Sequence, residues 1–251
     1  MPEMSGAAFT LITGASSGIG REIAVQLSTS RSVLIHGRDQ SRLEETLALC
    51  SPGDHYLWNF DLENVTEIQS SLKRVCSENG FVVGEFVHCA GISSVGGARL
   101  MSATQVQKVF SINTISALEI CATLLKKTNQ HSLRNILFVS SIWGSFGSAG
   151  HTVYSASKGA LDSAMRSLAV ELAPTTRVNS LALGAIDTPM AKAALSDPAI
   201  RSHTEKNYPL GIGETENVAS VCKFLLSDSA SWITGQVVVL DGGRTAHMSN
   251  K

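Results

Sequence analysis

The chain has 251 residues with 20 basic and 21 acidic side chains, a formal net charge of −1. That balance excludes the basic footprint of a nucleic-acid binder and the polybasic patch of a membrane-surface protein, so a substrate is steered by local groups. The length allows a core that folds without disulfides or a structural metal, and no apolar run approaches the roughly 20 residues that span a bilayer.

The opening residues Met1-Pro2-Glu3-Met4-Ser5 lack the basic and apolar regions of a secretory leader, which points to the cytoplasm. The five cysteines, Cys50, Cys76, Cys89, Cys121 and Cys222, form no CxxC pair and no His/Cys metal spacing. They read as small buried apolar side chains in a reducing compartment, and no metal is expected.

Short apolar runs then alternate with longer helical patterns. Ala8 to Ile12 reads as a buried strand, followed by a helix over Ile19 to Leu27 with Ile19, Ile23, Ala24 and Leu27 on one face. Val33 to Ile35 is a second strand and Ser41 to Leu49 a helix with Ser41 as N-cap. His55 to Phe60 is a third strand, and Asn64 to Ser77 is an amphipathic helix on Val65, Ile68, Leu72 and Val75. Glu85 to Cys89 is a fourth strand, Ala103 to Thr128 one long helical stretch, and Asn135 to Ser140 a fifth strand. Thr152 to Leu172 is helical, Arg177 to Leu183 a sixth strand, Glu214 to Leu226 a helix and Gln236 to Leu240 the last strand. The stretch from Thr188 to Gly213 has no clear period and reads as an active-site lid. Strands alternating with helices imply parallel pairing through right-handed crossovers. The expectation is an α/β chain, one domain over residues 1–251, with a doubly wound parallel sheet of about seven strands and helices on both faces.

The segment Thr13-Gly14-Ala15-Ser16-Ser17-Gly18-Ile19-Gly20 lies between the first strand and the first helix. In that context it reads as a Rossmann-type dinucleotide site. Gly14 permits the sharp turn, Gly18 lets the backbone approach a pyrophosphate, and Gly20 lets the helix pack on the sheet. Ser16, Ser17 and Ile19 fill the turn, where the amides of the helix start favour phosphate. The second strand ends in His36-Gly37-Arg38-Asp39. Arg38 replaces the acid that would hold the ribose 2′-hydroxyl of NAD, and a guanidinium can fork onto a 2′-phosphate. NADP(H) is therefore favoured over NAD(H), with Asp39 serving NAD as the alternative. Asp61, with Leu62 beside it, follows the third strand and is placed to accept from the adenine amino group or to cap the next helix.

Tyr154 and Lys158 are four apart in a helical stretch and share a face. Reduction of a ketone needs a proton donor for the incipient alkoxide, and a nearby ammonium is expected to lower the phenol pKa. Ser141 stands at the C-terminal end of the fifth strand, where ligands of open parallel sheets bind. Its hydroxyl can orient the carbonyl oxygen, while Ser140 points to the opposite face. Trp143 and Phe146 follow closely and either wall the substrate pocket or pack elsewhere. No GxSxG elbow and no HExxH motif occurs, so a hydrolase or metal enzyme is disfavoured.

Taken in order, the glycine segment, Ser141, the Tyr154/Lys158 pair and Thr234-Gly235-Gln236 with Asp241-Gly242-Gly243 resemble the short-chain dehydrogenase/reductase family, most of all its 3-oxoacyl-ACP reductases. The resemblance spans nearly the whole chain. It implies Asn113 as a fourth catalytic member that kinks its helix and positions water for a proton relay through Lys158. It gives Lys158 a second task on the nicotinamide ribose hydroxyls. It also implies that Ala90 and Gly91 line the cofactor and that Ile186 and Thr188 lie near the nicotinamide carboxamide. It further implies a homotetramer built through the two long helices and the last strand, with an acyl-carrier protein as a possible partner. The chain departs from the family where Asn-Asn-Ala-Gly reads His88-Cys89-Ala90-Gly91 and where Pro-Gly reads Leu183-Gly184. His88 is expected to pack within the strand end and not to catalyse. Basic positions of the acyl-carrier-dependent members are not matched at Asn129 to Ser132 or Pro174 to Thr176. The expected substrate is a ketone or secondary alcohol, either a 3-oxoacyl thioester or a sugar, polyol or cyclic ketone. A non-catalytic cofactor-sensing protein would be free to lose the four catalytic residues, and all four are present.

Overall fold

The computed structural model describes residues 8–129 and 131–246, so Met1 to Ser5 lie outside the described residues. The strands are β1 (Ala8–Thr13), β2 (Val33–Gly37), β3 (Tyr56–Asn59), β4 (Val82–His88), β5 (Asn135–Ser141), β6 (Arg177–Leu183) and β7 (Val237–Leu240). The helices are α1 (Gly18–Ser28), α2 (Gln40–Leu49), α3 (Ile68–Asn79), α4 (Ala103–Phe110), α5 (Ser116–Leu124), α6 (Thr152–Leu172), α7 (Pro189–Leu195), α8 (Pro198–Asn207) and α9 (Thr215–Leu225). All strand pairs are parallel, in the order β3-β2-β1-β4-β5-β6-β7. The sequence order reverses between β1 and β4, and the C-terminal ends of those strands open a crevice there.

The strands are apolar on both faces because both faces are covered. Phe9, Leu11, Leu34, Phe86 and Phe138 pack with Leu72 of α3, Ile120 of α5, and Leu161 and Met165 of α6. Ile12, Ile35, Val87, Leu137 and Leu181 pack on the other side with Ile23 and Leu27 of α1, Leu43 of α2 and Val218 and Cys222 of α9. Leu11 and Ile12 are adjacent in β1 and enter different layers, as the pleat requires.

Three expectations change. The N-cap of α2 is Asp39, not Ser41, because its carboxylate accepts the Arg42 amide at 3.2 Å. The helix expected from Ala103 to Thr128 is interrupted by a π turn at Ser111–Ile115 and stops at Leu124. The segment from Thr188 to Gly213 contains α7 and α8. Pro189 and Pro198 occupy the first turns, and the Thr188 and Asp197 side chains accept amide hydrogens there. Both helices are short and mostly exposed, so their apolar period is weak.

Phe86 and Phe138 are fully buried with ring centroids 6.3 Å apart, edge to face. Phe86→Ala should destabilise the chain by about 3–5 kcal/mol, read as a shift in the urea unfolding midpoint.

Candidate active site

Gly14 leaves β1 at φ +67, and a Cβ on it would lie 2.7 Å from the Ala90 Cα. Only glycine lets the turn sit so close to the end of β4. A Cβ on Gly20 would run into the Gly14 carbonyl oxygen, so α1 packs on its own turn only with glycine there. Side chains that sequence reasoning overlooked hold this turn. Arg21 donates to the Ser16 carbonyl at 2.8 Å and to the Thr46 hydroxyl at 3.0 Å, and Thr46 donates to the Ala15 carbonyl at 2.9 Å. Arg21 lies just beyond the glycines, but no local pattern pairs it with Thr46.

A cleft of about 310 Å³ opens over the turn. Gly14, Ser16, Ser17, Gly18, Ile19 and Gly20 form its floor, Arg38, Arg42, Asp61 and Leu62 one wall, and Ala90, Gly91 and Thr188 the far end. Asp39 is engaged at the start of α2. The Asp61 carboxylate accepts the Glu63 amide at 3.0 Å, a local turn, and does not cap the short 3-10 helix Val65–Glu67, whose N-cap position Asn64 occupies without a side-chain capping bond. The Ile186 side chain is buried in the core, and its backbone bridges Gly213. Only the main chain of Ile186 can therefore reach a ligand.

The end of β4 is tied back to β1. The Thr13 hydroxyl oxygen accepts the Cys89 and Ala90 amides, each at 3.2 Å, so its own hydrogen is turned to His88 Nδ1, 3.0 Å away. His88 is fully buried between Phe86 and Phe138. Burial, with the Lys158 charge behind it, pushes its pKa down to about 3. It is a neutral structural imidazole that takes over a position the family gives to asparagine.

Asn113 sits inside the π turn and is fully buried. Its side chain accepts the Ile92 amide at 2.8 Å and donates to the Ile92 carbonyl and the Ser157 hydroxyl, each at 3.0 Å. The extra residue of the π turn points this amide at the loop after β4 and at α6. Tyr154 and Lys158 lie on one face of α6, with the Lys158 Nζ 5.8 Å from the Tyr154 ring centroid. Lys158 donates to the Val139 carbonyl at 2.7 Å. A Cβ on Gly91 would come within 3.4 Å of Asn113 Oδ1 and 3.5 Å of Lys158 Nζ. The cleft thus ends beside Asn113 and Lys158.

The Tyr154 phenol departs from expectation. Burial pushes it up to about 12, against a smaller downward pull from the Ser141 hydrogen bond. Burial also brings the Lys158 ammonium down to about 8, and its hydrogen bond goes to the Val139 carbonyl and not to the phenol. Ser141 also accepts the Trp143 amide at 3.2 Å, and the Trp143 ring stands edge-on to Tyr154 with centroids 6.1 Å apart. Trp143 therefore borders the phenol, whereas Phe146 is exposed. Ser140 turns away toward Ser180 and Asp162, a buried acid one turn beyond Lys158. Burial raises the Asp162 pKa and the two hydroxyls moderate it, although none of the three side chains reaches full hydrogen-bond geometry. Among the described residues no three His, Cys, Asp or Glu side chains gather as a metal site requires. None of the described helices is long and apolar enough to cross a membrane.

A glycine-floored crevice at the sheet's switch point, ending at Gly91 beside Asn113 and Lys158, defines a Rossmann-like oxidoreductase. Residues 14–245 match the family model described as enoyl-(acyl carrier protein) reductase, and the chain belongs to the short-chain dehydrogenase/reductase family. Its members act on alcohol or carbonyl groups with a nicotinamide cofactor. Human 3-oxoacyl-[acyl-carrier-protein] reductase is 34% identical over 239 residues, 92% of this chain and 95% of that one. Glucose 1-dehydrogenase of Gluconobacter oxydans is 29% identical over 250 residues, 94% and 91% respectively. The structure of 4-hydroxyisoleucine dehydrogenase complexed with NADH superposes with a TM-score of 0.88 at 26% identity, covering 96% of this chain and 100% of that one.

His36 and His88 are buried with pKa values of about 4 and about 3, against 6.5 for a free imidazole. Between those values the unfolded chain binds protons that the folded chain does not, so stability falls as pH drops below about 6.5. Urea midpoints measured from pH 7 to 4 should fall, and His88→Asn should flatten that slope while lowering stability at pH 7.

Proposed function

We propose that the chain is an NADP(H)-dependent oxidoreductase interconverting a ketone and a secondary alcohol. The observation that carries the reading is that the cleft ends at Gly91 beside Asn113 and Lys158, with Tyr154 stacked under the Lys158 ammonium and hydrogen-bonded to Ser141. Gly14 and Gly20 keep the turn packed on Ala90 and on its own Gly14 carbonyl, so its amides face the cleft floor, where a phosphate is favoured. Ser16, Ser17, Gly18 and Ile19 offer amides to the phosphates. Ala90, Gly91, Thr188 and the Ile186 main chain border the nicotinamide end. When bound, the cofactor supplies or accepts a hydride.

The residues then divide the remaining work. The Ser141 hydroxyl holds the substrate oxygen. Tyr154, a phenol that burial raises to about 12, gives its proton to that oxygen in reduction and takes it back in oxidation. Lys158 would hold the ribose hydroxyls of the bound cofactor and, beside the phenol, would relay its proton. Asn113 keeps the π turn and the Ile92 loop in place beside it. The 188–213 segment covers the substrate end as a lid.

Preference for NADP(H) rests on Arg38, with Arg42 beside it on the cleft wall, and on Asp39 being engaged at the start of α2. The substrate is a 3-oxoacyl thioester or, because carrier-docking basic residues are not evident, a sugar, polyol or cyclic ketone. The named activities of both curated relatives fit this pair of alternatives. We also assign the chain to the cytoplasm and to a homotetramer, supported by exposed apolar side chains such as Leu118, Leu125, Val170, Trp232 and Val239.

Tyr154→Phe should lower kcat about 10²- to 10⁴-fold while leaving NADPH affinity close to wild type, assayed on 3-oxoacyl thioesters, keto-sugars and cyclic ketones in parallel. Near wild-type turnover on the best substrate would place the proton donor elsewhere. Arg38→Glu should raise KM for NADPH about 10- to 100-fold, the range of a lost charged hydrogen bond, with KM for NADH little changed. An unaltered ratio removes Arg38 from cofactor choice.

A further inference from the structure

His36 is the polar side chain at the cleft that the chemistry above does not use. It lies in β2 and is 3% exposed. Its Nδ1 accepts the Gly14 amide at 3.3 Å, and its Nε2 lies 3.1 Å from the Phe60 carbonyl oxygen. A carbonyl only accepts and an amide only donates, so the ring is the neutral tautomer with hydrogen on Nε2. The His36 main-chain carbonyl accepts the next amide of the turn, that of Ala15, at 2.8 Å. The ring packs on Trp58 with centroids 4.6 Å apart. One residue therefore takes two successive amides of the glycine turn and grips the carbonyl just before Asp61.

We infer that His36 is a positioning residue for the dinucleotide, joining the glycine turn to the wall formed by Phe60, Asp61 and Leu62 so that phosphate and adenine ends are held at a fixed separation. Without the imidazole, the Gly14 amide and the Phe60 carbonyl lose their partner on β2. A turn that must place several amides on one pyrophosphate then has to be ordered by the ligand itself, which weakens binding. Burial brings the His36 pKa down to about 4, so this tautomer persists through neutral pH. The inference rests on the reading that the cleft takes a dinucleotide, and it concerns affinity, not the chemical step.

Two isosteres separate the contacts. In His36→Asn the side-chain oxygen can replace Nδ1 toward Gly14, and in His36→Gln the longer amide can replace Nε2 toward Phe60. NADPH and NADP⁺ are titrated by fluorescence, with kcat at saturating cofactor and thermal melts alongside. His36→Phe keeps ring volume and loses both contacts. It should raise Kd about tenfold or more, the range expected for losing two buried hydrogen bonds, with kcat within about twofold. The Asn and Gln variants should fall between it and wild type. Unchanged Kd in the Phe variant, or a loss confined to kcat, overturns the inference. If the Phe variant does not fold, the other two decide it: wild-type affinity in both overturns it. Failure of the wild-type chain to bind either nucleotide would instead overturn the cofactor reading, and this inference with it.

Discussion

The contact on which the site depends is the approach of two backbones, Gly14 at the end of β1 and Ala90 just past β4. Those strands are neighbours at the point where the strand order reverses. A side chain at Gly14 would push them apart. With glycine there, Thr13 can gather the Cys89 and Ala90 amides under one hydroxyl. The same closeness brings Gly91 within reach of Asn113 and Lys158. The cleft and the polar cluster are therefore consequences of one tight crossing, not two independent sites.

Burial sets the electrical character of the cluster. Lys158 is 4% exposed, and its ammonium sits on the Val139 carbonyl. Desolvation disfavours the charged form of each group, lowering the lysine and raising the tyrosine. The two shifts run in opposite directions for the same reason. A helical pair that looks in the sequence like an ammonium acidifying a phenol is instead a buried neutral acid beside a weakly held cation. The nearby acid, Asp162, is itself raised by burial.

Local irregularities do positional work. The π turn at Ser111–Ile115 lets Asn113 bond both groups of Ile92 and the Ser157 hydroxyl. Gly184, where the family has glycine after proline, packs so tightly on Tyr208 and Asp241 that a Cβ would lie 2.7 Å from the tyrosine ring. The Tyr208 hydroxyl accepts the Ala185 amide at 3.0 Å. The end of β6 is thus steadied by a side chain from beyond α8.

The alternation of apolar strands with helices was legible because a two-sided parallel sheet demands continuous apolar runs, and the seven strands lie where those runs are. Tyr154 and Lys158 were legible as neighbours because helical spacing alone makes them so. The glycine turn was legible because its residues are consecutive. Resemblance, not spacing, singled out Asn113, since nothing in Ser111-Ile112-Asn113 announces a π turn. The helices within 188–213 were missed because exposed helices lack an apolar stripe. Sequence by itself therefore determined the fold class, the turn and the pairing of Tyr154 with Lys158, all of which depend on local period and order. Tertiary structure alone decided the contacts of Arg21 with Thr46, of Thr13 with His88 and of His36 with Gly14, and the direction of the Tyr154 shift. Those depend on which distant groups share a buried volume, and desolvation is a property of that volume.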